Sequence, residues 1–170
     1  MVVCERVARL VEDCNKYATR IYALPSKKKP SSPKIWIPPP DDFVKVNCDA
    51  SLKDSGWVGL IRNKDGEVLF AGTRRCRGSW PPEIAECKAV LFGIKLASRY
   101  GFKKVIIVSE SQIIISRLSK AVTYFTDLDS ILEDVLSICS SFYYVNWSHV
   151  RRDGNAVAHY LASLVPFGCE

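Results

Sequence analysis

Residues 43–52, FVKVNCDASL, are the stretch from which the fold is best worked out. Apolar and polar side chains alternate along it, which is the period-two pattern of a strand with two different faces. The polar face carries Lys45, Asn47 and Asp49. A proline-rich segment precedes this strand and short strands and helices follow it, so we predict that it lies in the middle of a sheet. A carboxylate buried there is costly unless a positive charge meets it, and a metal ion is the obvious candidate.

The composition is that of an ordinary soluble globular protein, with room in 170 residues for one domain plus an appendage. A formal net charge of +6 mildly favours a polyanionic partner. The seven cysteines include no CxxC pair, which argues against a zinc site or a disulfide framework. We therefore expect a reducing intracellular compartment, either nucleus or cytoplasm. We find no secretion signal and no apolar run of membrane length, so no membrane partner is expected.

The two ends of the chain differ from its middle. Residues 1–24 carry apolar side chains at helical spacing with charges between them, which predicts an amphipathic N-terminal helix. This helix either packs on its own domain, remains from a longer parent chain, or docks a protein partner. Residues 25–42 are rich in proline and lysine and are predicted to be an extended linker, and residues 166–170 form a short tail.

Between the ends, the patterns predict an α/β fold built on a five-stranded mixed sheet flanked by helices. Strands are expected at residues 43–52, 56–62, 67–73, 104–109 and 143–150. Helices are expected at residues 83–100, in a short segment ending at residue 118, and at residues 127–140 and 155–165. The first three strands form an antiparallel meander, and the last two join through right-handed crossovers that make them parallel.

Four polar side chains are expected to meet at one end of this sheet. In mixed sheets, ligands bind beyond the carboxyl ends of the strands, where Asp49 and Glu110 both lie. Glu86, early in the long helix, and His159, one turn into the last helix, can reach the same place. Carboxylates with one imidazole suit Mg²⁺ or Mn²⁺ better than zinc. Such a cluster supports two-metal hydrolysis of a phosphodiester.

Each of these residues also has a structural explanation. Asp49 could cap the end of its strand, and Glu86 could pair with a cation such as Lys88 on a solvated face. Glu110 could cap the helix that follows it, because carboxylates are favoured at helix N-termini. His159, on a partly apolar helix, could be a histidine of the core.

Four spaced motifs resemble the ribonuclease H-like family, in particular the branch found in plant retroelement-derived proteins. The motifs are WIPPPDDFVKVNCDAS at residues 36–51, AECKA at 85–89, VIIVSES at 105–111 and SHVRRDGNAVAHYLA at 148–162. The resemblance implies a ribonuclease H-like domain at residues 43–165, with three antiparallel strands followed by two parallel ones. Residues 1–24 lie outside it.

The resemblance also implies roles for individual residues. Asp49, Glu86, Glu110 and His159 occupy the metal-binding positions, although the family usually has Asp at the last two. His149 matches a mobile-loop histidine that aids proton transfer or product release. The residues expected to contact nucleic acid are Ser51, Arg74, Arg75, Arg151, Arg152 and Asn155.

Three functions are compatible with these observations. The first is a Mg²⁺- or Mn²⁺-dependent endonuclease that cleaves the RNA strand of RNA/DNA hybrids and grips phosphates through basic residues. The second is a catalytically weakened or inactive nucleic-acid-binding module of the same fold. The third is a protein-interaction scaffold that docks through residues 1–24.

Overall fold

The structure, a computed structural model, describes residues 35–52, 56–75, 80–124 and 126–163. The predicted helix at residues 1–24, most of the predicted linker and the tail at residues 166–170 lie outside the described residues. The protein partner expected for residues 1–24 therefore stays a prediction. Among the described residues, no helix combines the length and the apolar character needed to cross a membrane.

The described residues form a five-stranded sheet with four α-helices. The strands are β1 (Val44–Ser51), β2 (Gly56–Arg62), β3 (Val68–Arg75), β4 (Lys104–Ser109) and β5 (Tyr144–His149). The helices are α1 (Pro82–Arg99), α2 (Gln112–Lys120), α3 (Asp127–Cys139) and α4 (Ala156–Ser163). The strand order is β3-β2-β1-β4-β5, with β2 antiparallel to both neighbours and β4 parallel to both of its own. The predicted α/β fold, its mixed sheet and the central place of β1 are confirmed.

Two predicted helix starts need correction. The last helix was expected from residue 155, but a 3₁₀ turn, Arg152–Asn155, comes first and α4 begins at Ala156. Such tighter turns are common at helix N-termini. The long helix begins at Pro82, one residue earlier than expected, because proline at the first helical position loses no intrahelical hydrogen bond.

Helices cover both faces of the sheet. The main core lies between α1 and the face of β1 that carries Val46 and Cys48, and α3 packs on α1 from outside. A smaller cluster lies on the opposite face, where α4 contacts β1 and β2 through Ala158 and Ala162. The polar residues of β1 face the same side as α4, so the site is built where α4 crosses the strand end.

The described end of the predicted linker lies against the sheet. The Trp36 ring lies over the guanidinium of Arg62, 4.2 Å from ring centroid to Cζ. The Lys45 ammonium is 5.7 Å from the same ring and donates a hydrogen bond to the carbonyl of Ile37. Lys45 and Arg62 are only 7% and 8% exposed, so this segment shields two cations that β1 and β2 would otherwise present to water.

Gly93 sets the distance between α1 and β1. A Cβ at this position would lie 2.4 Å from Sγ of Cys48 and 3.1 Å from Cγ1 of Val46. The helix can approach the strand this closely only because the glycine has no side chain. Glu86 lies seven residues, or about two turns, earlier on the same stripe of α1, so the close approach carries Glu86 toward the carboxyl end of β1.

We expect Gly93→Ala to destabilise the chain by about 1–3 kcal/mol, because the added methyl overpacks the core. Helix propensity alone would favour alanine by about 1 kcal/mol, so the sign of the change tests the packing argument. Urea denaturation measures it, with Lys95→Ala, on the exposed side of the same helix, as the control. Adding Cys48→Ala should recover part of the loss, and a Gly93→Ala variant as stable as the unmodified chain would refute the close contact.

Candidate active site

Parallel pairing brings two carboxylates side by side at the carboxyl ends of β1 and β4. The register pairs Asn47 with Val108, so two residues further along Asp49 is level with Glu110. Asp49 is 2% exposed and the side chain of Glu110 is 16% exposed. The structure therefore places both residues where the sequence predicted them.

His159, in α4, contacts Asp49 from the face of the sheet that α4 covers. Its Nδ1 lies 3.0 Å from Oδ2 of Asp49, and its side chain is 44% exposed. One ligand atom each from Asp49, Glu110 and His159 all lie within 4.8 Å of one another. The imidazole thus borders the carboxylates and does not belong to the apolar cluster beneath α4.

The carboxyl of Glu86 has a strongly raised pKa. Burial, followed by repulsion from Asp49 and Glu110, raises the pKa of its carboxyl to about 8. The backbone N–H of Ala50 and the hydroxyl of Ser109 donate to this carboxylate and oppose the shift. Its Oε2 is buried and has no hydrogen-bond partner among the described residues. A buried carboxylate oxygen without a donor is costly, and a cation beside it would remove that cost.

Asp49 is perturbed for the same reasons. Burial, then repulsion from Glu110, raises the pKa of its carboxyl to about 6, although the contact with His159 acts in the opposite direction. Two neighbouring acids with raised pKa values mark a pocket that holds more negative charge than its own groups neutralise. The carboxylates and the imidazole therefore fit a divalent cation with a preference for oxygen donors.

Arg152 forms an ion pair with Glu110, one of the carboxylates that a bound cation would use as a ligand. Its Nε is 3.3 Å from Oε2 of Glu110, and Nδ2 of Asn155 is 3.5 Å from Oε1. Both oxygens of Glu110 are thus engaged within the chain. The Arg152 side chain is 70% exposed, so this ion pair is well hydrated and weak, of the order of 1 kcal/mol or less.

Asn155 was expected to contact nucleic acid, but the structure buries it to 1% exposure. Its Nδ2 donates to the carbonyl of Cys48 at 3.1 Å, and its Oδ1 accepts from Asn47 at 2.9 Å. These bonds tie the turn before α4 to β1, which holds His159 over the strand end. The structure therefore shows Asn155 as a positioning residue, and its contact with nucleic acid stays a prediction.

Sequence reasoning did not identify the residues that support Asn155. Nη2 of Arg62 donates to Oδ1 of Asn47 at 3.0 Å, which continues the buried hydrogen-bond chain into β2. Ser109, fully buried at the end of β4, was missed as well. The alternation of the strand indicated that Asn47 lies on the same face as Asp49. It does not indicate which side chains Asn47 contacts on that face.

The remaining predicted residues surround the site. Nε2 of His149 lies 3.0 Å from the backbone carbonyl of Glu110, at the end of β5. Arg74 and Arg75 are exposed at the end of β3, Arg151 is exposed before the 3₁₀ turn, and Ser51 is half-buried at the end of β1. The helix after β4 is capped by the side chain of Ser111, which accepts from the N–H of Ile114, so capping is not the role of Glu110.

Several solved structures share this fold. RNase H1 from the archaeon Halobacterium salinarum matches with a TM-score of 0.64 and 22% identity, covering 71% of this chain and 95% of that one. The N-terminal RNase H domain of a Mycobacterium tuberculosis protein matches with a TM-score of 0.65 and 20% identity, covering 71% and 91%. LC11-RNase H1, solved in complex with an RNA/DNA hybrid, matches with a TM-score of 0.59 and 16% identity, covering 70% and 91%.

The family is given by a second comparison. No curated protein sequence matches the chain at a significant level. The profile described as reverse transcriptase-like matches residues 43–165, which include every strand and helix of the described structure. The chain therefore belongs to the reverse transcriptase-like family and has a ribonuclease H-like fold.

Proposed function

We propose that this chain is a metal-dependent endonuclease that cleaves the RNA strand of RNA/DNA hybrids. One observation carries the proposal: ligand atoms of Asp49, Glu110 and His159 converge within 4.8 Å, with the buried carboxylate of Glu86 beside them. The fold that the chain shares with LC11-RNase H1, which was solved with an RNA/DNA hybrid, supports the choice of substrate. The net charge of +6 is consistent with a polyanionic partner.

Asp49, Glu86, Glu110 and His159 would hold Mg²⁺ or Mn²⁺. When bound, the ions supply an activated water and a positive charge beside the departing oxygen of the phosphodiester. Two features support this assignment. The Oε2 of Glu86 has no hydrogen-bond partner in the ranges that the structure describes, and the pKa values of Glu86 and Asp49 are raised. Both would be relieved by positive charge in the pocket.

The surrounding residues would bind and orient the substrate. Arg74, Arg75 and Arg151 are exposed on the same end of the domain as the carboxylates, and Ser51 ends the strand that carries Asp49. Their donors would pair with phosphate oxygens, which makes binding weaker at high salt. His149, held at the mouth of the site by its contact with the Glu110 carbonyl, would donate a proton to the departing oxygen as its bond to phosphorus breaks.

A second function, a nucleic-acid-binding module with a weakened site, is favoured by the contact between Arg152 and Glu110. A guanidinium there already neutralises one of the carboxylates. In addition, Glu110 is one methylene longer than the usual Asp, and His159 lacks the negative charge of the Asp it replaces. A scaffold that docks through residues 1–24 would depend on residues outside the described ranges.

Cleavage of a labelled RNA/DNA hybrid in Mg²⁺ or Mn²⁺ tests the proposal. We expect Asp49→Asn to lower the rate by about a hundredfold or more, because it removes a charge at the centre of the cluster. Asp134→Asn, the same change at an exposed position of α3, should leave the rate unaltered. Cleavage that survives Asp49→Asn would come from a contaminant, and binding of hybrid without cleavage would favour the second function.

Arg152→Ala should tighten the binding of Mn²⁺, because it frees one oxygen of Glu110 from an internal competitor. Since an exposed ion pair contributes at most about 1 kcal/mol, the gain should not exceed about fivefold. Isothermal titration calorimetry measures it, and Arg151→Ala, the exposed neighbour, is the matched control. Unchanged or weaker binding in Arg152→Ala would mean that the guanidinium does not compete with the metal.

The stability of the metal-free chain should fall as the pH rises. The pKa of Glu86 is about 8 in the folded chain, against 4.5 for an unperturbed Glu. The folded state thus holds this proton more tightly, so the stabilisation is complete below pH 4.5 and is lost as the pH rises through 8.

Glu86→Gln removes this titration and keeps the shape of the side chain. In EDTA, we expect the variant to be more stable than the unmodified chain at pH 8, by a few kcal/mol, with little difference near pH 5. Urea denaturation at both pH values measures the effect, and Glu83→Gln, exposed in the first turn of α1, is the control. A stability difference that does not grow between the two pH values would refute the raised pKa.

A further inference from the structure

Lys88, in the first turns of α1, contacts two indole rings at the end of the sheet that carries the site. The Lys88 ammonium is 4.2 Å from the centroid of the Trp80 ring and 5.6 Å from that of the Trp57 ring. Cation–π contacts of this kind restrain the position of the charge without neutralising it. No carboxylate among the described residues forms an ion pair with Lys88. Its positive charge therefore remains available to an anion.

The sheet places Trp57 level with the end of β1, on the face that α1 covers. Trp57 in β2 is the cross-strand partner of Ala50, the residue that follows Asp49. On its other side, Trp57 is paired with the exposed Arg74 of β3, and directly opposed residues have Cβ atoms about 5 Å apart. Lys88 follows Glu86 by two positions in α1. We call Trp57, Arg74, Lys88 and Trp80 the tryptophan platform.

The two tryptophans of the platform differ in burial. Trp57 packs against the main core and so serves as a fixed base. Trp80 precedes α1 and keeps 38% of its surface exposed. The Lys88 ammonium lies 4.2 Å from the exposed Trp80 ring, and Arg74 is the cross-strand neighbour of Trp57. An exposed indole with cations nearby is a combination that binds a polynucleotide strand, since a base stacks on the ring while phosphates pair with the cations.

We propose that Trp80 stacks on an unpaired base next to the hybrid, while Lys88 and Arg74 pair with the phosphates of that strand. The chain then binds hybrids that carry a single-stranded extension more tightly than blunt hybrids. This inference rests on the proposed nucleic-acid function and adds a preference for one substrate class. The reason is geometric, because the interior of a duplex hides its base faces and offers none to an indole, whereas an extension exposes them.

Fluorescence anisotropy in EDTA, where no strand is cut, tests the preference. The probes are one blunt RNA/DNA hybrid and the same hybrid with a 5′ or a 3′ extension on either strand. We expect the unmodified chain to favour at least one extended hybrid by about fivefold to tenfold, from the stacking of one base. Trp80→Ala should abolish this ratio, and Trp80→Phe should retain most of it. Lys88→Met should lower the slope of affinity against salt by about one phosphate contact.

Tyr143→Ala is the matched control. Tyr143 is also an exposed aromatic residue near a lysine, with the Lys103 ammonium 5.9 Å from its ring, but it precedes β5 at the opposite end of the sheet from Asp49. Its removal should leave the ratio unchanged. Thermal unfolding of every variant identifies a loss of binding that merely reflects a loss of fold.

The outcomes separate this inference from the proposed function. Equal affinity of the unmodified chain for blunt and extended hybrids overturns the platform, as does a Trp80→Ala variant that loses both affinities equally. If the unmodified chain shows no preference but still cleaves hybrid in Mn²⁺, the nuclease proposal holds and the platform proposal fails. A chain that prefers extended hybrids through Trp80 but cleaves none supports the platform and overturns the nuclease. Failure to bind any hybrid at low salt overturns both.

Discussion

Repulsion between carboxylates that the fold forces together is the constraint on which the site depends. Parallel pairing of β1 with β4 sets Asp49 level with Glu110, and the close approach of α1 at Gly93 brings Glu86 to the same place. Burial then raises the pKa of both Asp49 and Glu86, because charged carboxylates are poorly solvated there. The packing of the core holds these groups against their mutual repulsion.

Contacts with other side chains of the protein offset part of this repulsion. His159 contacts Asp49, Arg152 contacts Glu110, and one buried oxygen of Glu86 has no partner within the described part of the chain. The neutralisation is therefore uneven, with the exposed rim better balanced than the buried centre. Each part of the site favours a different one of the two functions. The less neutralised buried centre favours a bound cation, as a nuclease requires, whereas the guanidinium at the rim already neutralises a carboxylate, as expected for a module that only binds.

Much of the fold and of the donor set could be predicted from local patterns. Alternation in β1 and the apolar run of β4 predicted both strands and put Asp49 and Glu110 at their carboxyl ends, and the structure brings these two residues together. Helical periodicity placed Glu86 and His159 on the correct helices. It did not anticipate the 3₁₀ turn before α4, because that turn depends on how Asn155 bonds to β1.

Local patterns in the sequence are enough to specify the strands and helices and the groups at their ends, since the side-chain period of a strand or helix is a local property. Which distant groups meet depends on how the helices pack on the sheet. The tertiary structure buried Asn155, which was expected to contact nucleic acid, set Arg152 on Glu110, and brought Lys88 against the rings of Trp57 and Trp80. These contacts join residues from different elements, and their geometry follows from the packing of helices on the sheet, which no local period encodes.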